Sequence, residues 1–533
     1  MTTTFRGPPL ASAEGIGSLT MGGFLEEVAG RFGPNEALVF DDPLTGSTTR
    51  WEYDRLLDEA RRVGRGLAAK GVRPGQSVGI LMGNRPEAVA ALFGAALAGA
   101  VAVPMSTFAP KPELSFMLRT AQVVAVLTQQ ALLDRRFGDE LAELGVEPVA
   151  VVGTPSWEEL RAAGDGAATD VRVHPDDDAL VIFSSGTTST PKGMLHSHRA
   201  VTLQFWIQAR LFGRHERTRM WTALPMFWTA GLNTAMGSTI AAGGCWVMQE
   251  TFEPGAALAL LERERVTEPY TLPHQTGALA EHPSWPTTDL SSLRGVYGKG
   301  AFARHPTVQG DPAWLMPVGY GLSETCAFFV AHAWDADRED TKRSMGRLLP
   351  GNELRVVDPA SGAALGVGEV GELAVKGPTL MRRYLGTEPA EAFDADGFFR
   401  TGDVGWVDPD GFVHFEGRRT EMIKTGGANV SPAELEVQLR ACAPVKLSRV
   451  VGIPDERLDQ VVVACIVLKE GSGATEDDIR SFLRERVAAY KVPKRVLFFD
   501  DGEIPMTGSA TKVRDEALVA AVSARLERQN GVR

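Results

Sequence analysis

The chain has 533 residues, 55 basic against 67 acidic for a net charge of −12, with 44% hydrophobic and 23% charged residues. This is the composition of a soluble globular protein with room for roughly three or four domain-sized units. Its acidic balance argues against nucleic acid or an anionic membrane surface as the main partner. Four cysteines, Cys245, Cys326, Cys442 and Cys465, lie far apart without metal-ligand spacing, which predicts reduced thiols and a cytoplasmic setting.

The first residues, MTTTFRGPPLASAEG, have no apolar core and do not read as a secretory signal. From about residue 20 to 175, helical and strand-like segments alternate. WEYDRLLDEARRVGRGLAAKG is an amphipathic helix; SVGILMG, VVAVLT and PVAVVG are short apolar strands. The run Ala88 to Met105 is near the minimum length of a membrane span, but it is rich in Ala and Gly. Asn84 as N-cap, Pro86 in the first turn and Gly99 at the end predict a buried helix, and VAVPM a buried strand after it. The alternation predicts a mostly parallel sheet flanked by helices, with ligands at the carboxyl ends of its strands.

One such end is chemically unusual. The apolar strand LVIF runs into SSGTTSTPKG, with six hydroxyls in the seven residues Ser184 to Thr190 and then Lys192. Hydroxyls, free backbone N–H groups and a lysine suit a polyphosphate. The spacing is not that of the P-loop GxxxxGK followed by Ser or Thr: Pro191 precedes the lysine and Gly193 follows it. His196 and His198 follow closely, but two histidines without further ligands do not make a metal site, and structural roles are expected.

From about 345 to 417 the texture changes to short runs (LRVVD, GELAVKG, GWVDPDGFVHF) between Gly and Asp-Pro turns, which predicts small antiparallel strands, barrel-like in arrangement. After Gly417, Ser431 with Glu434 matches a capping box. The tail then alternates strands and helices as a compact α+β unit of about 115 residues. The expected fold class is therefore α/β: a large N-terminal domain, residues 1–417, with mostly parallel helix-flanked sheets plus a small barrel-like part, and a small α+β domain, residues 418–533.

Five stretches in order resemble the adenylate-forming superfamily, which includes acyl-CoA synthetases, peptide-synthetase adenylation domains and firefly-type luciferases. They are SSGTTSTPKG, with Ser189 for a glycine; GYGLSETC, Gly319 to Cys326, with Ser323 for a threonine; TGD, Thr401 to Asp403; GRRTEMIKTGGANVSPAELE from Gly417; and the C-terminal stretch ending in PMTGSATK, which has one residue more than usual between Pro505 and its lysine. The resemblance covers residues 20 to 520, and it implies ATP, Mg²⁺ and coenzyme A as cofactors. It also implies a mobile C-terminal domain that carries a catalytic lysine in for one step and out for the next.

Carried over residue by residue, the resemblance implies these roles. Ser184, Ser185, Gly186, Thr187, Thr188 and Lys192 hold the β- and γ-phosphates. Glu324 and Thr187 approach Mg²⁺, and Ser323 the α-phosphate. Tyr320 stacks on adenine beside Gly321, and the YGKGA segment brings Gly300 beside adenine and Gly298 to the acid pocket, with no role for Lys299. Asp403 accepts from the ribose hydroxyls and Arg418 reaches ribose or phosphate. Lys512 bridges the acid and the α-phosphate. Thr420 stands at the hinge, and Gly426 and Gly427 line the thiol tunnel. ALPMFWTAG resembles a PLFHxxG segment with Trp228 for histidine. With Phe227, Phe328 and Phe329 it suggests an apolar acid.

The implied reaction is an ATP-dependent acid–CoA ligation of a hydrophobic acid, fatty or aryl. One rival passes the adenylate to a carrier-protein thiol. Another keeps nucleotide binding without catalysis.

Overall fold

The computed structural model describes residues 3–164, 171–184, 191–296, 300–311, 313–418, 422–425, 428–455, 458–487, 491–506, 513 and 515–530. The chain divides into two compact units. One comprises Phe5–Leu354 and Val375–Phe399; the other comprises Met1–Thr4, Arg355–Ala374 and Arg400–Arg533.

The first unit is built on two sheets that are parallel at heart. In the larger, Val101–Pro104, Ser77–Leu81, Val123–Gln129 and Ala150–Val152 run parallel, and Asp178–Phe183 joins beside Val101–Pro104 in the same sense. Gly193–Ser197 and Arg383–Tyr384 then turn that edge antiparallel. The strands read as near-continuous apolar runs because helices cover both faces. Val103, Val126, Val181, Phe183 and Leu195 pack into one core with Leu114 and Met117 of the helix Lys111–Thr120. The second sheet sets Glu268–Pro269, Arg219–Thr222, Cys245–Met248 and Glu36–Asp41 parallel, with Thr48–Glu52 antiparallel at its edge.

The apolar run after residue 88 resolves as expected: a buried helix Pro86–Leu97, a glycine at φ +69° and a strand Val101–Pro104. Asn84, however, is not the cap. Arg85 holds that position without a side-chain cap bond. Asn84 is drawn inward, where its amide nitrogen donates to Leu224 O at 2.9 Å and Gln249 O at 3.3 Å, and its oxygen accepts from Met226 N at 3.0 Å. A buried amide with three partners outweighs a cap that water can replace. Among the described residues no helix is long and apolar enough to cross a membrane.

The second unit holds the greater part of a small sheet ordered Glu353–Val357, Gly371–Lys376, Phe399–Val407, Val413–Arg418, which is the barrel-like part expected between 345 and 417. It also holds the C-terminal α+β fold. There Val445–Asp455 and Asp459–Leu468 form a long hairpin, and the second strand is apolar at successive positions because both of its faces are covered. Val462, Ala464 and Ile466 pack with Leu435, Leu439, Ile479 and Leu483 of two helices. Val463, Cys465 and Val467 pack with Leu518 and Val522 of Asp515–Asn530. Period 2 in the strand thus assigns alternate residues to opposite cores. The capping box is half formed. Ser431 accepts from Glu434 N at 3.3 Å, but the Glu434 carboxylate turns to Lys491 at 2.7 and 2.8 Å instead of reaching back.

A buried ion pair braces the first unit. Arg214, whose side chain is fully buried, donates through Nε to Glu268 Oε2 at 2.8 Å and through Nη1 to Thr234 O and Ser238 Oγ. Thr234 lies in Ala230–Gly237, a π-helix, a form whose hydrogen bonding departs from the ordinary ladder and that recurs at functional sites. Truncating one partner would strand a buried charge, which costs about 3–5 kcal/mol. Arg214→Ala is therefore expected to lower the urea midpoint by that equivalent, whereas Arg31→Ala, which removes an exposed ion pair, should shift it by about 1 kcal/mol or less.

Candidate active site

The hydroxyl-rich loop leaves Asp178–Phe183 at its carboxyl end and returns as Gly193–Ser197. Its neck is closed twice: Ser184 N donates to Lys192 O at 2.9 Å, and Lys192 N donates to Ser184 Oγ at 3.0 Å. The hydroxyl of Ser184 thus serves the loop's own backbone. Lys192 is exposed. Ser185, Gly186, Thr187 and Thr188 lie outside the described residues, as do Gly298, Lys299, Thr420, Gly426, Gly427 and Lys512.

Beyond the neck stands a residue that the sequence reading did not single out. Tyr384, on the edge strand Arg383–Tyr384, pairs in register with Met194. Its ring centroid lies 5.2 Å from Lys192 Nζ, within cation–π range. Its hydroxyl donates to Glu324 Oε1 at 2.6 Å. The backbone is joined too, since Met381 N donates to Glu324 O at 2.7 Å. The structure therefore brings together Lys192, Tyr384 and Glu324, two of which the motifs had marked and one of which they had not. Tyr384 stands far from both in the chain and in no apolar period, so nothing local in the sequence signals it.

Glu324 is aimed by a tight turn. Gly319–Leu322 and Ala327–Ala331 form an antiparallel hairpin. Gly321 leaves no room for a side chain: a Cβ there would lie 1.8 Å from Ala327 O. Within the turn, Leu322 N donates to Thr325 Oγ1 at 2.8 Å, and that hydroxyl donates to Ala327 O at 2.7 Å. Cys326 takes φ +62°, a left-handed geometry that costs a non-glycine residue free energy and needs support. The support is buried. Asn233 Nδ2 donates to Cys326 O, and Gln204 Nε2 donates to Thr325 O at 3.0 Å and to Phe328 O at 2.7 Å. Ser323 and Glu324 are left half-buried at the tip, while Tyr320 is 7% exposed. Gly300 is half-buried just before the short helical turn Phe302–Arg304.

The expected acid side is aromatic. Phe227 and Trp228 meet edge-on at 5.7 Å, and Phe108, 52% exposed, lies 5.4 Å from Phe227 and 6.0 Å from Trp228. The segment is pinned through Met226 N to Asn84. It is also held by Gly231, where a Cβ would sit 2.0 Å from Pro225 O. Phe329, expected near the acid, is instead wholly buried: on an alternating strand it faces the core while Phe328 packs against Phe212.

In the second unit, Asp403 and Arg418 are ladder partners on adjacent antiparallel strands. Arg418 Nε donates to Asp403 Oδ1 at 3.1 Å, with the carboxylate side chain 3% exposed and the guanidinium side chain 49%. Gly402 N donates to Glu372 Oε1 at 3.0 Å, and Thr401 Oγ1 donates to Leu373 O at 2.8 Å. These bonds hold the TGD turn.

His196 and His198 are buried neutral rings. Burial pulls both down to about 4. His198 Nδ1 accepts from Met21 N at 3.2 Å, and His196 lies against the backbone of Ser323. Burial pushes the Cys245, Cys326 and Cys465 thiols up to about 12, so they stay protonated. Among the described residues no group of three or more His, Cys, Asp and Glu could hold a metal by itself.

The model of the AMP-binding enzyme family matches residues 25–385, and that of the AMP-binding enzyme C-terminal domain matches residues 434–511. A feruloyl-CoA synthase of Amycolatopsis sp is 34% identical over 477 residues, 88% of this chain and 93% of that protein. The indoleacetate–CoA ligase of Aromatoleum aromaticum is 32% identical, over 87% of this chain and 92% of its own. The crystal structure of an anthranilate CoA ligase in complex with anthranoyl-AMP superposes with a TM-score of 0.80 at 26% identity, covering 95% of this chain and 98% of that one.

The two histidines set a pH dependence. Their folded pKa lies near 4 against 6.5 for the free ring, so below pH 6.5 the unfolded chain binds protons that the native one refuses. Stability is full above that value and falls as pH drops towards 4, by about 2 kcal/mol per ring at about pH 5. His196→Leu should shrink the difference in urea midpoint between about pH 7.5 and about pH 5; an undiminished difference would show that His196 is not the proton acceptor.

Proposed function

We propose that this chain, which belongs to the AMP-binding enzyme family and is an AMP-forming acid–CoA ligase, takes an aromatic carboxylic acid as its substrate. The observation that carries the choice is the aromatic cluster Phe108, Phe227 and Trp228, with Trp228 where the family pattern has histidine. Flat rings offer stacking and edge contacts to another ring, which a flexible acyl chain uses less well. The relatives support the same choice. Their names give feruloyl-CoA, indoleacetate and anthranilate, each an aromatic acid or its thioester.

A free carboxylate resists a thiol because its leaving group is poor. The reaction therefore runs in two steps: the acid attacks the α-phosphate of ATP, expelling pyrophosphate, and the thiol of CoA then displaces AMP. Both steps crowd negative charge, so fixed cations and donors supply most of the catalysis. Lys192 would bind the terminal phosphates from the rim of its closed loop, with Ser185, Gly186, Thr187 and Thr188 lending N–H and hydroxyl donors. Asp403 would accept from the ribose hydroxyls, and Arg418 would turn to ribose or phosphate. Tyr320, Gly321 and Gly300 would border the adenine, and Gly298 would line the acid pocket with Phe227 and Trp228.

The residues fit Mg²⁺, which is commonly held by one or two carboxylates plus substrate phosphates. Glu324 and Thr187 are the candidates, and Glu324 keeps Oε2 without a hydrogen bond among the described residues. When bound, the ion supplies neutralising charge to the phosphates.

Residues 418–533 would move as a body between the two steps, bringing Lys512 to the carboxylate and α-phosphate and then withdrawing it, so that Gly426 and Gly427 can admit the thiol arm. Gly417 supports a pivot there. Its φ of +143° belongs to a region that side-chain-bearing residues rarely enter.

Incubation with Mg²⁺, ATP, CoA and a panel of acids tests the reading. Aryl-CoA products are expected by mass spectrometry. Fatty acyl-CoA alone would overturn the aromatic assignment, and acyl-AMP without acyl-CoA would move the acceptor to a carrier-protein thiol. Lys512→Ala should abolish pyrophosphate release yet spare thioester formation from supplied acyl-adenylate; equal loss in both steps would refute its role.

A further inference from the structure

We infer that Tyr384 is a positioning residue for the metal-binding carboxylate, linking it to the lysine of the phosphate loop. The inference rests on the assignment of Glu324 to Mg²⁺ made above. It also says how that carboxylate is aimed.

The geometry has three parts. The phenol donates to Glu324 Oε1 at 2.6 Å, a short bond to a carboxyl oxygen. The face of the same ring receives Lys192 Nζ at 5.2 Å from its centroid. The ring itself is fixed by register. Tyr384 is opposite Met194, Leu385 N donates to Gly193 O at 2.8 Å, and Arg382 N donates to Leu195 O at 2.7 Å. The edge strand is therefore tied to the residues that leave the phosphate loop, and Tyr384 carries that fixed position across to the Glu324 turn.

Two consequences follow from charge. A lysine and a glutamate facing one anionic ligand would otherwise attract each other directly. Here the aromatic ring takes up the ammonium and the hydroxyl takes up one carboxylate oxygen. Among the described residues Lys192 meets the ring and Glu324 the hydroxyl, and no ion pair joins the two directly. Secondly, with Oε1 committed to the phenol, Glu324 presents Oε2. A carboxylate that must enter the shell of a small, geometrically demanding cation gains from having its rotation settled beforehand.

The test is the Mg²⁺ dependence of pyrophosphate release at fixed ATP and acid and, without the acid, of ATP binding by calorimetry, in the full chain, for Tyr384→Phe, Glu324→Gln and the double variant. Tyr384→Phe keeps the half-exposed ring and removes only the donor. Its half-saturating Mg²⁺ concentration should rise about tenfold, with KM for the acid and the rate of thioester formation from supplied acyl-adenylate unchanged. Glu324→Gln should raise the Mg²⁺ requirement at least as far, and the double variant should match it. Three outcomes would overturn the inference. If Glu324→Gln shifts the curve and Tyr384→Phe does not, the tyrosine does not position the carboxylate. If the two shifts add in full, the tyrosine acts elsewhere. If Glu324→Gln leaves the curve in place, the metal assignment itself fails and the positioning role falls with it.

Discussion

Two hydrogen bonds close the neck between Ser184 and Lys192, and the arrangement around Glu324 in the first unit depends on that closure. A loop rich in hydroxyls and glycine has no apolar surface to hold it and loses much conformational entropy when ordered. Tying its two ends lowers that cost before a ligand arrives. The closure also turns the chain back as an antiparallel strand beside a parallel sheet. That strand gives the edge pair Arg383–Tyr384 something to bind, and through Tyr384 the neck reaches Glu324. Lysine, tyrosine and glutamate come from three distant segments, yet their spacing descends from one hairpin.

The same unit shows where irregular backbone is tolerated. The Glu324 turn contains a left-handed cysteine, and the segment after Trp228 is a π-helix. Each leaves carbonyls that ordinary secondary structure would have paired. Each is met by a buried side chain: Asn233 and Gln204 serve the turn, and Arg214 serves the π-helix. Asn84 does the same for the Leu224 carbonyl just ahead of the aromatic cluster. Buried polar groups cost free energy unless paired. Here their donors are paired with the carbonyls that the irregular geometry strands, so one set of buried N–H groups offsets both penalties.

Much of this was legible in the sequence, for physical reasons that mark the limit as well. Apolar runs bounded by Gly and Pro gave the parallel strands, because burial on two faces leaves a continuous signature. Motif order pointed to Glu324, Lys192 and Asp403, because the chemistry at each sits in local chain. Asn84 was misread as a cap, since a cap and a buried amide look alike until the partner carbonyls are known. Glu434 was misread for the same reason, its partner Lys491 lying 57 positions away. Phe329 was placed near the acid by proximity to a motif, though strand alternation points it to the core. Tyr384 was missed altogether: its role exists only through pairing across the sheet edge, and pairing between distant segments has no one-dimensional trace.

In the second unit, binding as proposed exchanges partners and does not create charge. Asp403 is almost wholly buried and Arg418 is half-exposed. A buried carboxylate stripped of its partner would be costly, whereas a half-exposed guanidinium regains water when released. In the proposed reading the ribose hydroxyls take the place of Arg418 on Asp403, one set of donors for another, and the freed arginine carries its charge towards phosphate. Lys192 follows the same rule. In the first unit, and on the same proposal, it would leave the face of Tyr384, an interaction of about 0.5–1 kcal/mol at an exposed site, for a polyphosphate that holds it more strongly. On the proposed reading each of these charges already has a protein partner that a ligand group of the same kind replaces, so binding strands no charge in either unit.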